Sequence, residues 1–515
     1  MLPRIERARQ ALGALAFCLV ALAALGAAAA ASAQGKPQEA ALQPPARVET
    51  RHTIALTGTL AGHPLDYRAV AEMIGLTDQK GQPSAAIFTV SYLAETPAGR
   101  KRPVAFVFNG GPGAASVFLH LGALGPRIID TPPNGAVPDP PVKLVDNPDT
   151  WLAFTDLVFV DPVGTGYSRG KGKGDNPDRP FWNVHTDLAS LDAVVRRWLD
   201  RHGRWDSPVF LVGESYGGLR AAALARRLAR DVGVAVSGLV LVSPALDPEL
   251  LHPDISNPLA SAFELPSYAA SAAALSGKPP EAAGAAAERF ALSDYLVGLA
   301  GLAAVPAADD PFVARVAALI GLPDAVVRRE RARVPSGVFV REVRRAEGEI
   351  VSQYDATVAR PTGANPAADA AGDPVLDRAV PAYTQAFESY ASSDLGYRTE
   401  EPYRVLSRDV SNHWDWDGAQ GGRGGLGLAL SALQDTLLQY PQTRVLIANG
   451  RYDLVTPYLG SRWLVDQLAV PARLRAQIRL RVYDGGHMMY LRPASRAALA
   501  ADAAALFTAG QAPSP

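Results

Sequence analysis

The chain has 515 residues, 48% of them hydrophobic and 20% charged, with a formal net charge of -1. That is ample apolar material for a large core, held either in several ordinary domains or in one α/β core carrying insertions. A charge balance this close to neutral offers no electrostatic grip on nucleic acid or on an anionic membrane surface, and neither is expected as a partner.

Arg4, Arg7 and Arg9 precede an uninterrupted apolar run over 11–30, and the small residues Ala31-Ser32-Ala33 follow it. This is the pattern of a secretory signal peptide over 1–33, with cleavage expected after Ala33. The competing reading is an uncleaved anchor, because the run is about long enough to span a bilayer. Its weakly hydrophobic alanines and the small-residue site favour cleavage. The mature protein is then expected to be exported, periplasmic or secreted, with no membrane attachment. The one cysteine, Cys18, lies inside the run and follows Phe17, where a lipoprotein needs a small residue. The mature chain would therefore have no disulfide, no thiol nucleophile and no thiolate metal site. High Ala, Arg and Gly usage suits a bacterial exported protein.

Residues 34–48, rich in Gln, Gly, Lys, Pro and Ala, are expected to be disordered. Between 53 and 92, short alternation is broken by the turn signals Gly62-His63-Pro64 and Gly81-Gln82-Pro83, which predicts antiparallel strands. Short apolar runs of the buried parallel-strand type follow at 104–108, 157–160, 209–212, 239–242, 445–448 and 478–483. An amphipathic helix is expected over 184–201, with Leu188, Leu191, Val194, Val195 and Trp198 on one face. Strands alternating with helices predict a mostly parallel sheet covered on both sides. The rhythm breaks after Glu249, where the chain turns Ala-rich with Pro and Gly interruptions until the Gly-rich run 418–427. The expected organisation is an α/β core over 49–248 and 428–510, with an inserted, mainly helical cap over 249–427.

The strongest chemical signal is Gly213-Glu214-Ser215-Tyr216-Gly217. A buried-strand run enters it and an Ala/Leu-rich helix leaves it, the context of a nucleophile elbow. Glycines are needed where strand and helix approach around a strained turn, and the helix N-terminus favours developing negative charge. The competing reading is an ordinary βα turn with a surface serine.

A serine hydroxyl needs a base. The histidines are His52, His63, His120, His185, His202, His252, His413 and His487. His487 stands out because it follows the run 478–483 through Asp484-Gly485-Gly486, at a strand's C-terminal end. The base in turn needs an orienting carboxylate. Asp453, which follows the strand run 445–448 through Asn449-Gly450-Arg451-Tyr452, is favoured over Asp466, which sits in a helical stretch, and over Asp484, which is very near His487 in sequence. Serine, acid, histidine is the chain order of α/β-hydrolases. The oxyanion hole needs two backbone N–H groups. One is expected from Tyr216, the other from the loop Asn109-Gly110-Gly111-Pro112-Gly113 after the strand 104–108. No phosphate loop, H-E-x-x-H pattern or clustered metal ligands occur in the sequence, so no cofactor and no metal are expected.

Together, Asn109-Gly110-Gly111-Pro112-Gly113 with Ser116, Asp161-Pro162-Val163-Gly164-Thr165-Gly166-Tyr167-Ser168, Gly213-Glu214-Ser215-Tyr216-Gly217-Gly218, Asp453 and Gly486-His487-Met488 resemble the serine carboxypeptidase family in its order. The resemblance implies an α/β-hydrolase fold and removal of C-terminal residues from peptides through an acyl-enzyme on Ser215, with Asp453 and His487 completing the triad. It further implies that Gly111 and Tyr216 supply the oxyanion-hole amides, and that Asn109, Gly110 and Glu214 contact substrate, with Asn109 and Glu214 on its terminal carboxylate. Two carboxylates share a hydrogen bond only when one is protonated, so an acid-side preference for peptides is expected. The sequence departs from the family at Ala123, where many members carry a carboxylate-binding acid, and at Ala114 and Thr456, where many carry cysteine. Ala123 motivates an alternative, an esterase or acyltransferase using the same triad. A non-enzymatic protein that merely keeps the fold is the third reading. The substrate is thus expected to be a peptide or an ester; the sequence sets no oligomeric state.

Overall fold

The computed structural model describes residues 43–57, 62–95, 102–251, 256–363, 372–416 and 427–508. The expected signal peptide, most of the 34–48 stretch and all of the Gly-rich run except Gly427 lie outside the described residues. The first strand already begins at Arg47.

The centre is one large, mostly parallel sheet. Its main strands are β1 (Arg47–Ile54), β2 (Leu65–Thr77), β3 (Pro83–Ala94), β4 (Val104–Phe108), β5 (Asp156–Val160), β6 (Val209–Glu214), β7 (Gly238–Val242), β8 (Arg444–Gly450) and β9 (Ile478–Tyr483). They lie in the order β1-β2-β3-β5-β4-β6-β7-β8-β9, and the two-residue strand Arg169–Gly170 also pairs with β3. β1, β2 and β3 pair antiparallel, and β3 meets β5 antiparallel. From β5 to β9 every pairing is parallel.

The central strands read as continuous apolar runs because both faces of the sheet are covered. Alternate residues feed two separate cores. Ala105, Val107, Phe210, Val212, Val240 and Val242 face one side, with Trp151, Tyr390 and Phe507. Val104, Phe106, Leu211, Leu239 and Leu241 face the other, with Trp198 and Leu219. That second side is covered by helix α1 (Val184–His202) and helix α2 (Tyr216–Arg227). Asn183 caps α1 by accepting from the Thr186 amide at 3.0 Å, and Gly203 ends the helix in the left-handed conformation.

The winding direction reverses between β4 and β6. β5 is added on one side of β4 and β6 on the other, so the loops leaving β4 and β6 part at a crevice above the sheet. Open α/β sheets bind ligands at such a switch point. Phe108 at the end of β4 is in register with Gly213 in β6, which brings the Asn109 loop and the Ser215 turn side by side.

Between β7 and β8 the chain is largely helical. Helix α3 (Pro258–Leu275) packs on helix α4 (Pro280–Phe290), and four shorter helices run from Leu296 to Glu342. Phe263, Tyr268, Phe290, Val316 and Phe339 form their own apolar cluster, and Leu454 and Leu459 from beyond β8 join it. A two-stranded hairpin, Glu349–Val351 with Ala359–Pro361, then leads toward helix α5 (Leu376–Ser393). Among the described residues, no helix is long and apolar enough to cross a membrane.

Candidate active site

β6 ends at Glu214, and α2 begins at Tyr216, leaving one residue for the turn. That residue is Ser215, at φ 60° and ψ -126°. A non-glycine residue costs roughly 1–3 kcal/mol there and needs surroundings that enforce it. The enforcement is visible: the Ser215 amide donates to Val242 O at 2.9 Å, while its carbonyl accepts from Gly218 N at 2.9 Å and Ala245 N at 3.0 Å. A Cβ on Gly213 would collide with the Gly217 carbonyl, so the entering strand and the leaving helix touch backbone to backbone. Ser215 is half-buried, while Gly213, Glu214, Tyr216 and Gly217 are buried, so the serine alone faces the crevice.

His487 sits beyond β9, as its sequence setting implies. Its Nδ1 lies 2.9 Å from Asp453 Oδ2. The Asp453 carboxylate is over-determined: Oδ1 accepts from the amides of Val455 at 2.8 Å and Thr456 at 2.9 Å, and Oδ2 lies 2.6 Å from Thr456 Oγ1. Burial alone would push the Asp453 carboxyl up, but adjacent His487 and the Thr456 bonds outweigh it and leave it below the ordinary carboxylate range. Burial likewise opposes a charged His487, yet Asp453 holds its pKa above the usual 6.5. The backbone around His487 is pinned by its own amide on Tyr354 O at 2.5 Å and by Ser243 Oγ donating to its carbonyl at 2.8 Å. Asp466 lies in the helix Tyr458–Gln467, and Asp484 is engaged by Arg492 at 2.6 Å, so neither competing acid is the carboxylate on His487. Among the described residues no hydrogen bond joins Ser215 to His487. Such contacts often tighten only when substrate arrives.

The Asn109 loop runs directly against the serine turn. A Cβ on Gly110 would lie 2.6 Å from Tyr216 N and 2.9 Å from Ser215 Cβ, so only glycine permits this approach. Gly111, at φ 98°, is exposed toward the crevice. Tyr216 opens α2, where the first amides have no intrahelical acceptor. Asn109 Nδ2 donates to Glu214 Oε2 at 2.6 Å, and Asn109 Oδ1 accepts from Leu119 N at 3.0 Å, which fixes the amide's orientation. Glu214 is buried, and its pKa is raised to about 7: burial dominates, opposed by His487, Tyr490 and Asn109 and reinforced by Asp453.

All eight residues singled out in the sequence thus gather where β4, β6, β8 and β9 end. Several neighbours were not singled out for a role. Thr456 follows Asp453 by three residues, the spacing of a side chain that turns back on its own loop, and that spacing was the available signal. Tyr490 donates to Glu214 Oε2 at 2.8 Å, and no spacing announces it. Trp414 and Trp416, more easily taken for core or cap packing, set their rings edge-on to Tyr216 at 5.3 and 5.5 Å. The remaining described histidines serve structure where contacts are seen. His120 bonds Tyr92 at 2.6 Å, with burial pushing its pKa down to about 3, and His202 bonds Glu72 at 2.7 Å.

Residues 68–253 match the model of the serine carboxypeptidase family. Serine carboxypeptidase-like 16 of Arabidopsis thaliana is 26% identical over 162 residues, covering 29% of this chain and 34% of that protein. Serine carboxypeptidase-like 51 of the same plant is 32% identical over 136 residues, 26% of each chain. The lysosomal protective protein of Mus musculus is 28% identical over 148 residues, 28% of each chain. The alignments therefore span about a third or less of these relatives. A prohormone-processing carboxypeptidase from Saccharomyces cerevisiae shares the fold at a TM-score of 0.52 and 13% identity, over 86% of this chain and 91% of that one.

Proposed function

We propose that this chain, whose residues 68–253 match the model of the serine carboxypeptidase family, is a serine hydrolase that removes C-terminal residues from peptides through an acyl-enzyme on Ser215. The observation that carries the reading is the coupled His487–Asp453 pair, 2.9 Å apart, at the same end of the sheet as the strained Ser215 turn.

In this reading Ser215 Oγ attacks the scissile carbonyl, and His487 Nε2 takes its proton. Asp453 fixes the His487 tautomer with the proton on Nδ1 and stabilises the imidazolium. The amides of Gly111 and Tyr216 receive the oxyanion. His487 then protonates the leaving amine, and water returns along the same path to release the shortened peptide.

Glu214 and Asn109 are the proposed receptors for the substrate's terminal carboxylate. Both Asn109 and Tyr490 hold Oε2 of Glu214, which leaves Oε1 as the oxygen free to share a proton with that carboxylate. Tyr490 also lies against the segment carrying Ala123: a Cβ on neighbouring Gly122 would be 2.8 Å from the Tyr490 ring. A phenol therefore stands on Glu214, next to the position where many family members place a second acid.

The test is labelling with a fluorophosphonate probe, read by peptide mass spectrometry. Modification of Ser215 alone, lost in His487→Ala, is expected; labelling at another residue would overturn the assignment. Export after cleavage at Ala33 is part of the proposal. It is checked by the N-terminal sequence of protein recovered outside the cytoplasm, expected to begin at Gln34.

A further inference from the structure

One buried charge pair in the site has no part in the steps above. Arg220, in the second turn of α2, is fully buried, and so is Asp187 at the start of α1. Arg220 Nε donates to Asp187 Oδ2 at 2.7 Å and Nη2 to Oδ1 at 3.3 Å. The remaining nitrogen turns away from the aspartate and toward the Asn109 loop. Arg220 Nη1 lies 2.6 Å from Asn109 O and 3.5 Å from Gly110 O. Gly110 O also accepts from Ala114 N at 3.1 Å. The guanidinium meanwhile stacks on the ring of Tyr216, with Cζ 4.7 Å from its centroid.

We infer that the Arg220–Asp187 pair is a positioning device that sets both donors of the oxyanion hole. The inference rests on the reading that the Gly111 and Tyr216 amides receive the oxyanion. In a trans peptide the carbonyl and the N–H of one plane point in opposite directions. Holding Gly110 O toward Arg220 and Ala114 therefore turns the Gly111 N–H to the opposite side, away from Arg220. The close 2.6 Å bond from Arg220 to Asn109 O fixes the peptide just before, at the base of the same loop. Stacking on Tyr216 fixes the residue that carries the second donor. Asp187 aims the guanidinium by a two-point grip that a lysine ammonium cannot reproduce. A buried ion pair is weak evidence of stabilisation, since apolar replacements often fold as well or better. The one feature an apolar pair could not supply here is the hydrogen bond to the loop.

A neighbouring pair separates positioning from mere helix tethering. Arg227 binds Asp192 at 2.9 and 2.7 Å, also bridging α2 and α1, and does not touch the loop. The test compares Arg220→Lys, the double variant Arg220→Met/Asp187→Leu, and the control Arg227→Met/Asp192→Leu. The double variant leaves no unpaired buried charge and so guards against misfolding of single variants; circular dichroism checks the fold of each. Readouts are kcat and KM on a blocked dipeptide, and the rate of Ser215 labelling by a fluorophosphonate.

Loss of transition-state alignment is expected to lower kcat and the labelling rate by about 30-fold or more in both Arg220 variants, with KM within about twofold. The control is expected to keep kcat within about threefold, as a surface-side tether should. Wild-type kcat in the folded double variant, or an equal loss in the control, would overturn the inference. If unmodified protein is not labelled at Ser215 at all, the nucleophile reading fails first and takes this one with it.

Discussion

Tyr490 donates its hydroxyl to Glu214 Oε2 at 2.8 Å, the same oxygen that Asn109 Nδ2 reaches at 2.6 Å. Two neutral donors thus hold a buried carboxyl from one side. Such donors favour the ionised form and oppose the burial that raises the Glu214 pKa to about 7.

Replacing Tyr490 with Phe removes one of those donors without changing ring volume. The Glu214 pKa should rise further, extending the pH range in which this carboxyl stays protonated. In the proposed mechanism the pH limit for free-acid peptides moves up by about one unit, and KM at neutral pH falls. Profiles of kcat/KM against pH for the two proteins check this. Because the proposed role of Glu214 is toward a substrate carboxylate, esters lacking one should show no shift.

The raised Glu214 pKa also fixes a sign for stability. Unfolded, the group titrates near 4.5; folded, near 7. Between these values the native state holds a proton that the unfolded state has lost, so stability falls as pH rises through this window. Glu214→Gln abolishes that contribution. Relative to wild type, it should gain up to about 3 kcal/mol between pH 4 and pH 8, read by urea denaturation at both pH values.

Ser215 at φ 60° predicts opposite consequences for two inactive variants. Ser215→Ala keeps the Cβ and its strain, whereas Ser215→Gly removes both. Both should lose activity by at least about 1000-fold. The glycine variant should nevertheless be more stable than the alanine variant by about 1 kcal/mol, measured by thermal denaturation.

Thr456 supplies a hydroxyl on Asp453 Oδ2 and an amide on Oδ1. Thr456→Val keeps the amide and the shape but loses the hydroxyl. A hydrogen bond to a charged group is worth roughly 1.5–3 kcal/mol, so kcat should fall about tenfold or more, and Thr456→Ser should restore most of it. Steady-state kinetics on a blocked dipeptide decide the matter.

Sequence pattern and structure agree most closely where backbone chemistry is local. The run 104–108 is a strand with those bounds, because continuous burial writes a continuous apolar stretch; the run 478–483 also has the expected bounds, but it is an edge strand with Arg479 and Arg481 exposed rather than a fully buried one. Ser215 is legible because a one-residue turn between strand and helix demands glycines at fixed offsets. Asp453 could be chosen over Asp484 by spacing alone. Arg220 is the counter-example: in an Ala-rich helix a charged residue reads as a solvated face, and only the approach of Asp187 from α1 explains its full burial. Tyr490 was equally silent, since its partner Glu214 lies 276 residues away. Long-range polar pairs leave no periodicity behind.

The most direct test of the central claim is digestion of peptides with free C-termini by wild type and Ser215→Ala, followed by mass spectrometry from pH 4 to 8. The account expects wild type to shorten each peptide from its C-terminus one residue at a time, best on the acid side of the Glu214 pKa, while Ser215→Ala leaves the peptides whole. Intact free-acid peptides, alongside turnover of esters or C-terminally amidated peptides, would contradict it.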